Sequence, residues 1–150
     1  MGLKKKHYKK TLYTSLINNF TLNGKKKLAK NIIDTTLSSL CKNLGVSIIK
    51  LLFKLFLKLD NFVEIKQVKI KRRTYTIPFA IKYNRRVYLI IKKIKIATEL
   101  IHRKTAFSEN LKLELYNILK MSNNSKAFKL LKDNQAQSKT SRSNIHFRWK

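Results

Sequence analysis

The chain has 150 residues, 35 of them Lys or Arg against 7 Asp or Glu, for a formal net charge of +28. Its 43% hydrophobic residues can build an ordinary apolar core, which excludes a wholly disordered basic tail. One domain is expected from the length, and a compact fold with this charge repels itself, so a polyanionic partner is implied.

Residues 1–10, M-G-L-K-K-K-H-Y-K-K, hold five lysines and no acid and read as a flexible basic arm that binds phosphates. No short apolar segment with a cleavage site follows, so a secretory signal is not expected. Lysine without arginine also matches a mitochondrial transit peptide poorly. From Leu12 the positions Leu12, Leu16, Ile17 and Phe20 follow helical spacing, and Asn23-Gly24 should end that helix. A second helix is predicted from about Lys25 to Asn43, with Leu28, Ile32, Ile33, Leu37 and Leu40 inward and Gly45 as its stop. Ser47 is placed to cap a third helix.

That third segment, S-I-I-K-L-L-F-K-L-F-L-K-L from Ser47 to Leu59, is the longest greasy run. Lys50, Lys54 and Lys58 recur every fourth residue and form one stripe along a helix. A membrane span needs about 20 apolar residues, and this run is shorter and regularly charged. It reads as a core helix with a lysine-lined edge. The competing reading is a cationic amphipathic helix on an anionic membrane surface, which expects Leu52, Phe53 and Phe56 to be exposed.

After Asp60 the pattern changes. Phe62, Val63, Ile65, Val68 and Ile70 roughly alternate with polar residues, as do Tyr75, Ile77, Phe79 and Ile81, with Lys71-Arg72-Arg73 between the runs. This predicts an antiparallel β-hairpin at about residues 62–82 with a cationic tip, a ribbon suited to lie on nucleic acid. Pro78 lacks an amide donor, so it must face no ladder partner. A fourth helix is predicted from Arg85 to His102 and a fifth, capped by Ser108, to about Met121; residues 120–124 read as a turn. From Asp133 onward the chain is polar and basic, and a final helix there would make about six.

No enzyme, metal or cofactor is expected. Cys41 is the only cysteine, which leaves no intramolecular disulfide and no Cys-based zinc cluster; its helical pattern suits a small buried residue. His7, His102 and His146 show no ligand spacing, and three glycines make no phosphate-cradling loop.

Three blocks carry a resemblance to a family. N-N-F-T-L-N-G-K-K-K-L-A-K-N-I-I (Asn18 to Ile33) resembles the pattern N-x-x-M-x-x-G-K-K-x-x-A-x-x-I-x, with Asn18, Gly24, Lys25, Lys26, Ala29 and Ile32 on it. V-E-I-K-Q-V-K-I-K-R-R-T-Y-T-I-P resembles V-E-V-K-x-R-R-V-G-G-x-x-Y-Q-V-P through Val63, Glu64, Lys66, Lys69, Tyr75 and Pro78, and Arg85-Arg86 follow. N-I-H-F-R-W resembles F-A-H-Y-R-W through His146, Arg148 and Trp149. All three patterns and their order are those of the seventh protein of the small ribosomal subunit, the S-seven family, and the resemblance spans about residues 11–150. The departures are the glycine pair replaced by Lys71-Arg72, which predicts a different turn, an arginine replaced by Val68, a tryptophan replaced by Lys93, and acids lost from Gln135 to Arg142.

The resemblance implies a mainly α fold: a compact bundle of about six helices over residues 11–150, with one protruding antiparallel β-hairpin. It implies binding to the 3′ major domain of small-subunit rRNA, a part in assembling the head, neighbouring small-subunit ribosomal proteins, proximity to exit-site tRNA and mRNA, and no membrane. The expected rRNA-binding residues are Lys25, Lys26 and Lys27 at a helix start, Lys66, Lys69, Lys71, Arg72 and Arg73 along the hairpin, Arg85 and Arg86 at its base, and Arg148 and Lys150 at the end. Tyr75 is a candidate for base stacking or for burial against a helix, and Trp149 for a packing anchor. A non-ribosomal RNA- or DNA-binding protein is a further reading of the charge. Residue usage rich in Lys, Asn, Ile, Leu and Phe suggests AT-rich coding and, with the divergence from the bacterial pattern, an organelle-encoded protein, mitochondrial first and plastid second.

Overall fold

Six α-helices and one two-stranded sheet make up the described residues, 12–101 and 105–149, of the computed structural model, which is the mainly helical architecture expected. The expected basic arm, His102, Lys150 and the side chain of Trp149 lie outside what is described. Helix α1 (residues 12–20) buries Leu12, Leu16, Ile17 and Phe20, the spacing that marked it. Asn23 and Gly24 both take positive φ (51° and 73°), which reverses the chain into α2 (Lys26–Leu44). Gly45 ends α2 in the left-handed conformation, φ 60°, its N–H donating to the Cys41 carbonyl.

Two expectations along these helices are corrected. Leu28 is 56% exposed, because the inward face is Ala29, Ile33, Thr36, Leu37 and Leu40, and each residue step turns about 100° away from it. Ser47 stands at the N-cap of α3 (Ile48–Leu59), but its side chain accepts no capping bond. Helix α3 turns Leu51, Leu52, Leu55 and Leu59 into the core, leaving Ile49, Phe53 and Leu57 outward beside Lys50 and Lys54. Lys58 folds back and donates its Nζ to the Leu119 carbonyl. Of the three residues that a membrane-surface helix needs exposed, Phe53 is exposed, Phe56 is half-buried and Leu52 is buried. No described helix is long and apolar enough to cross a membrane.

Strands β1 (Val63–Ile70) and β2 (Arg73–Ala80) pair antiparallel from Val63–Ala80 to Ile70–Arg73, so the loop is the two residues Lys71 and Arg72. The Ile81 amide donates to the Phe62 carbonyl at 3.1 Å, and alternation along the register makes Ile65–Pro78 a pair without hydrogen bonds between the strands. Pro78 therefore directs its missing donor outward, at the free edge of β2, as its chemistry required. Lys71 holds φ at 54°. That left-handed conformation costs an L-residue roughly 1–2 kcal/mol, part of which glycine would return as unfolded-chain entropy. Lys71→Gly should accordingly stabilise the fold by about 0.5–1 kcal/mol, seen as a higher urea midpoint at unchanged slope.

Helix α4 (Tyr83–Glu99) starts two residues before the predicted position. Helix α5 (Phe107–Lys120) begins after Ala106 rather than at a Ser108 cap. The weakly periodic end folds as α6 (Lys126–Thr140) and a 3₁₀ segment, η1 (Ser141–Trp149). Val87, Ile90, Ile91 and Ile94 of α4 meet Leu111, Leu115 and Ile118 of α5 in one core shared with the first three helices. Each fully buried aliphatic side chain contributes roughly 1.5–3 kcal/mol, so the bundle rests on these contacts. Lys93 is buried in α4 (8% exposed), where burial pushes its ammonium pKa down and the Asp60 charge pulls it partly back.

Candidate nucleic-acid interface

Alternation along the strands divides the predicted hairpin cations. Lys66 shares a face with Tyr75, Ile77 and Phe79, whereas Lys69 lies on the opposite face with Gln67, Thr74 and Thr76. The Lys66 ammonium sits 5.4 Å from the centre of the Phe79 ring. Lys66, Lys69, Lys71, Arg72 and Arg73 are all exposed, and the last three crowd the turn with no acid in their stretch of chain. Three cations within three residues repel one another. Phosphate oxygens relieve that repulsion, so the tip is better suited to a polyanion than to water alone.

Acids occupy the base of the hairpin instead. Arg85 forks onto Glu64, Nε to Oε2 at 3.1 Å and Nη2 to Oε1 at 2.6 Å, and its guanidinium lies 5.1 Å from the Tyr88 ring centre. The Arg85 hydrogen bond, aided by the charges of Arg85, Lys66 and Lys92, holds the Glu64 carboxyl below its usual range against the opposing effect of burial. Arg86 forks onto Asp60, Nε to Oδ1 at 2.8 Å and Nη2 to Oδ2, and stacks 4.1 Å over the Phe62 ring. Both members of this second pair are largely enclosed, at 17% and 12% side-chain exposure. Arg86 thus ties the start of α4 to the end of α3, while half-exposed Arg85 keeps a face toward solvent.

The C-terminal residues also turn inward. Phe147 lies 4.6 Å from Tyr75 and 3.9 Å from His146, centre to centre. Arg148 stacks 5.1 Å from the Phe79 centre and donates to the Pro78 carbonyl, and Asn144 Nδ2 donates to the Thr76 carbonyl at 3.1 Å. Tyr75 is half-enclosed, one of its contacts being the Phe147 ring of the 3₁₀ segment.

Lys25, Lys26 and Lys27 are exposed at the start of α2, where the Lys25 and Lys26 amides are already taken by the Leu22 and Gly24 carbonyls. Helix α2 packs on α3 and α5, whereas the hairpin packs on α6 and η1, so the predicted cations fall into two groups on different parts of the fold. Sequence reasoning missed the acids that hold these parts in place. Asp60, Glu64 and Glu114 carry no periodic signature. The clue available was scarcity, since an acid in so basic a chain has cations to answer. Asp34 is a further case: Tyr13 donates to it at 2.6 Å, and that bond, with burial and the Asp34 charge, pushes the Tyr13 pKa up to about 12.

The class that fold and site define is a basic helical scaffold that spends several acids on internal partners and presents a cationic hairpin tip and helix start. The family model described as Ribosomal protein S7p/S5e matches residues 2–142, and the chain belongs to that family. It is similar to the small ribosomal subunit proteins uS7A and uS7B of Aquifex aeolicus (strain VF5). Each is 28% identical over 145 residues, covering 95% of this chain and 89% of the relative. Membership bears out the resemblance carried by the first two blocks; the matched span ends before the third. Proteins of this family are structural components of the ribosome, not enzymes, and the chain has a small-subunit ribosomal role.

Proposed function

We propose that the chain binds the 3′ major domain of small-subunit rRNA, helps to assemble the head, and stands near exit-site tRNA and mRNA beside neighbouring small-subunit proteins. The observation that carries this reading is the exposed tip, Lys71, Arg72 and Arg73, on a hairpin whose base is neutralised by Glu64 and Asp60. Such cations neutralise phosphates and position a folded RNA; they do not read its bases. Lys66, Lys69 and the outer face of Arg85 add contacts along the hairpin, and Lys25, Lys26 and Lys27 supply a second group at the start of α2. Arg86 supports that surface from behind. An organellar ribosome, mitochondrial before plastid, is the proposed compartment, supported by the AT-rich residue usage.

Binding to a transcript of the 3′ major domain tests this reading. With six to ten phosphate contacts, affinity should fall roughly a thousandfold or more between 50 and 200 mM salt. Reversing Lys71, Arg72 and Arg73 to glutamate should weaken binding at least about a hundredfold while leaving helix content intact. Salt-insensitive binding, or equal affinity for any RNA, would overturn a specific rRNA site.

A further inference from the structure

The hairpin's two edges are inequivalent, and the difference originates at the other end of the chain. In the observed register Thr76 and Pro78 belong to the pairs that exchange no hydrogen bonds with β1, so their carbonyls point away from it, along the open edge of β2. An open edge is a template for pairing with another chain and leaves a two-stranded ribbon free to twist and tilt. Here both outward carbonyls are taken by side chains of η1: Asn144 Nδ2 on Thr76 at 3.1 Å and a guanidinium nitrogen of Arg148 on Pro78. The same guanidinium lies over the Phe79 ring, and Phe147 covers Tyr75, four residues back on the same face of β2. Asn144 and Arg148 are four residues apart, whereas Thr76 and Pro78 are two apart. A 3₁₀ rise of about 2 Å per residue makes the first span about 8 Å, against about 7 Å for the strand. The spacings match closely enough for both bonds to form at once.

We infer that η1 is an intramolecular strap that closes the outer edge of β2 and fixes the hairpin's orientation, so that Arg148 positions the rRNA-binding surface without touching RNA. The hairpin surface left for nucleic acid is then the tip, the side of the ribbon bearing Lys69, and the exposed Lys66. Side chains suit this task better than a third strand would. They satisfy the carbonyls without extending the sheet, and the edge stays closed to other chains. A planar guanidinium bonds and stacks at once, which an ammonium cannot reproduce.

The inference rests on rRNA binding as proposed above, but its first readout needs no RNA. In the full-length protein, amides of residues 73–81 bonded to β1 should exchange with deuterium about tenfold faster in Arg148→Ala and Arg148→Lys, and a few-fold faster in the milder Asn144→Ala. Unchanged exchange in all three variants overturns the strap. On the 3′ major-domain transcript, Arg148→Ala should keep the wild-type slope of log affinity against log salt, whereas Arg72→Ala should lower it by about 0.7–0.9. A slope lowered equally by Arg148→Ala would make Arg148 a phosphate contact and overturn the positioning role. If the wild type bound no RNA, the rRNA reading would fail, while the exchange rates would still decide the strap.

Discussion

Asp60→Asn is expected to destabilise the fold by about 3–4 kcal/mol, because it strips the counter-charge from two enclosed cations while preserving the side chain's shape. Asp60 receives both arms of the Arg86 fork, and its charge is what partly offsets the burial of Lys93. The variant removes the carboxylate that the Arg86 fork grips and the charge that partly offsets the burial of Lys93. The measurement is the urea midpoint at neutral pH. Its pH dependence carries a sign of its own. Lys93 has a folded pKa below its ordinary 10.5, so the unfolded chain binds more protons there and stability rises with pH toward 10.5. Without Asp60 the folded pKa of Lys93 falls further, so the deficit of Asp60→Asn should narrow as pH rises to the wild-type folded pKa, below 10.5, and stay constant above it, whereas a loss of packing alone would not change with pH. Arg86→Met, which removes a cation and keeps apolar contact with Phe62, should cost less than Asp60→Asn. The reverse order would mean that the fork contributes through its hydrogen bonds more than through charge.

The second large effect is expected at Glu114, which is completely buried in α5. One carboxylate oxygen accepts from Ser125 Oγ at 2.7 Å and from the Ala127 amide at 2.9 Å, and the Ser125 hydroxyl in turn accepts from the Phe128 amide at 3.2 Å. A side chain from one helix thereby completes the N-terminal cap of the next. Glu114→Ala should cost about 3–4 kcal/mol, through a cavity and two donors left dry. Glu114→Gln keeps the bonded acceptor but puts an amide group where the second, unbonded carboxylate oxygen is buried, and should cost less, about 1–2 kcal/mol. Urea unfolding separates the two, and amide exchange should place the loss first in α6. Equal costs for alanine and glutamine would mean that the acceptor bonded to Ser125 and Ala127 does not hold the cap.

What was legible beforehand divides along a physical line. Periodicity marked α1 to α3 and the hairpin because each buries a face at a fixed repeat: Leu12, Leu16 and Phe20 on a helix, Tyr75, Ile77 and Phe79 on a strand. Pro78 announced its own edge position, since a missing donor is a local fact. Leu28 misled because it is apolar in its own right, while burial is decided by where the neighbouring helices lie. Helix α6 was weakly marked because only Ala127 and Leu131 are buried along it, too few to show a repeat.

For the site, composition and spacing identified the cations but could not say which were free. Lys25, Lys26, Lys27, Lys69, Lys71, Arg72 and Arg73 stand exposed, as a run of like charges must unless acids come near. Arg86, Arg148 and Tyr75 looked the same on paper and proved to be held by Asp60, Pro78 and Phe147, partners 26, 70 and 72 positions away. By itself the sequence determined a polyanion-binding, mainly helical chain with a cationic hairpin, because charge balance and periodicity are properties of neighbours along the backbone. Only the tertiary structure decided which cations face outward and which brace the fold, because an ion pair or a stacked ring depends on residues that the chain brings together only by folding.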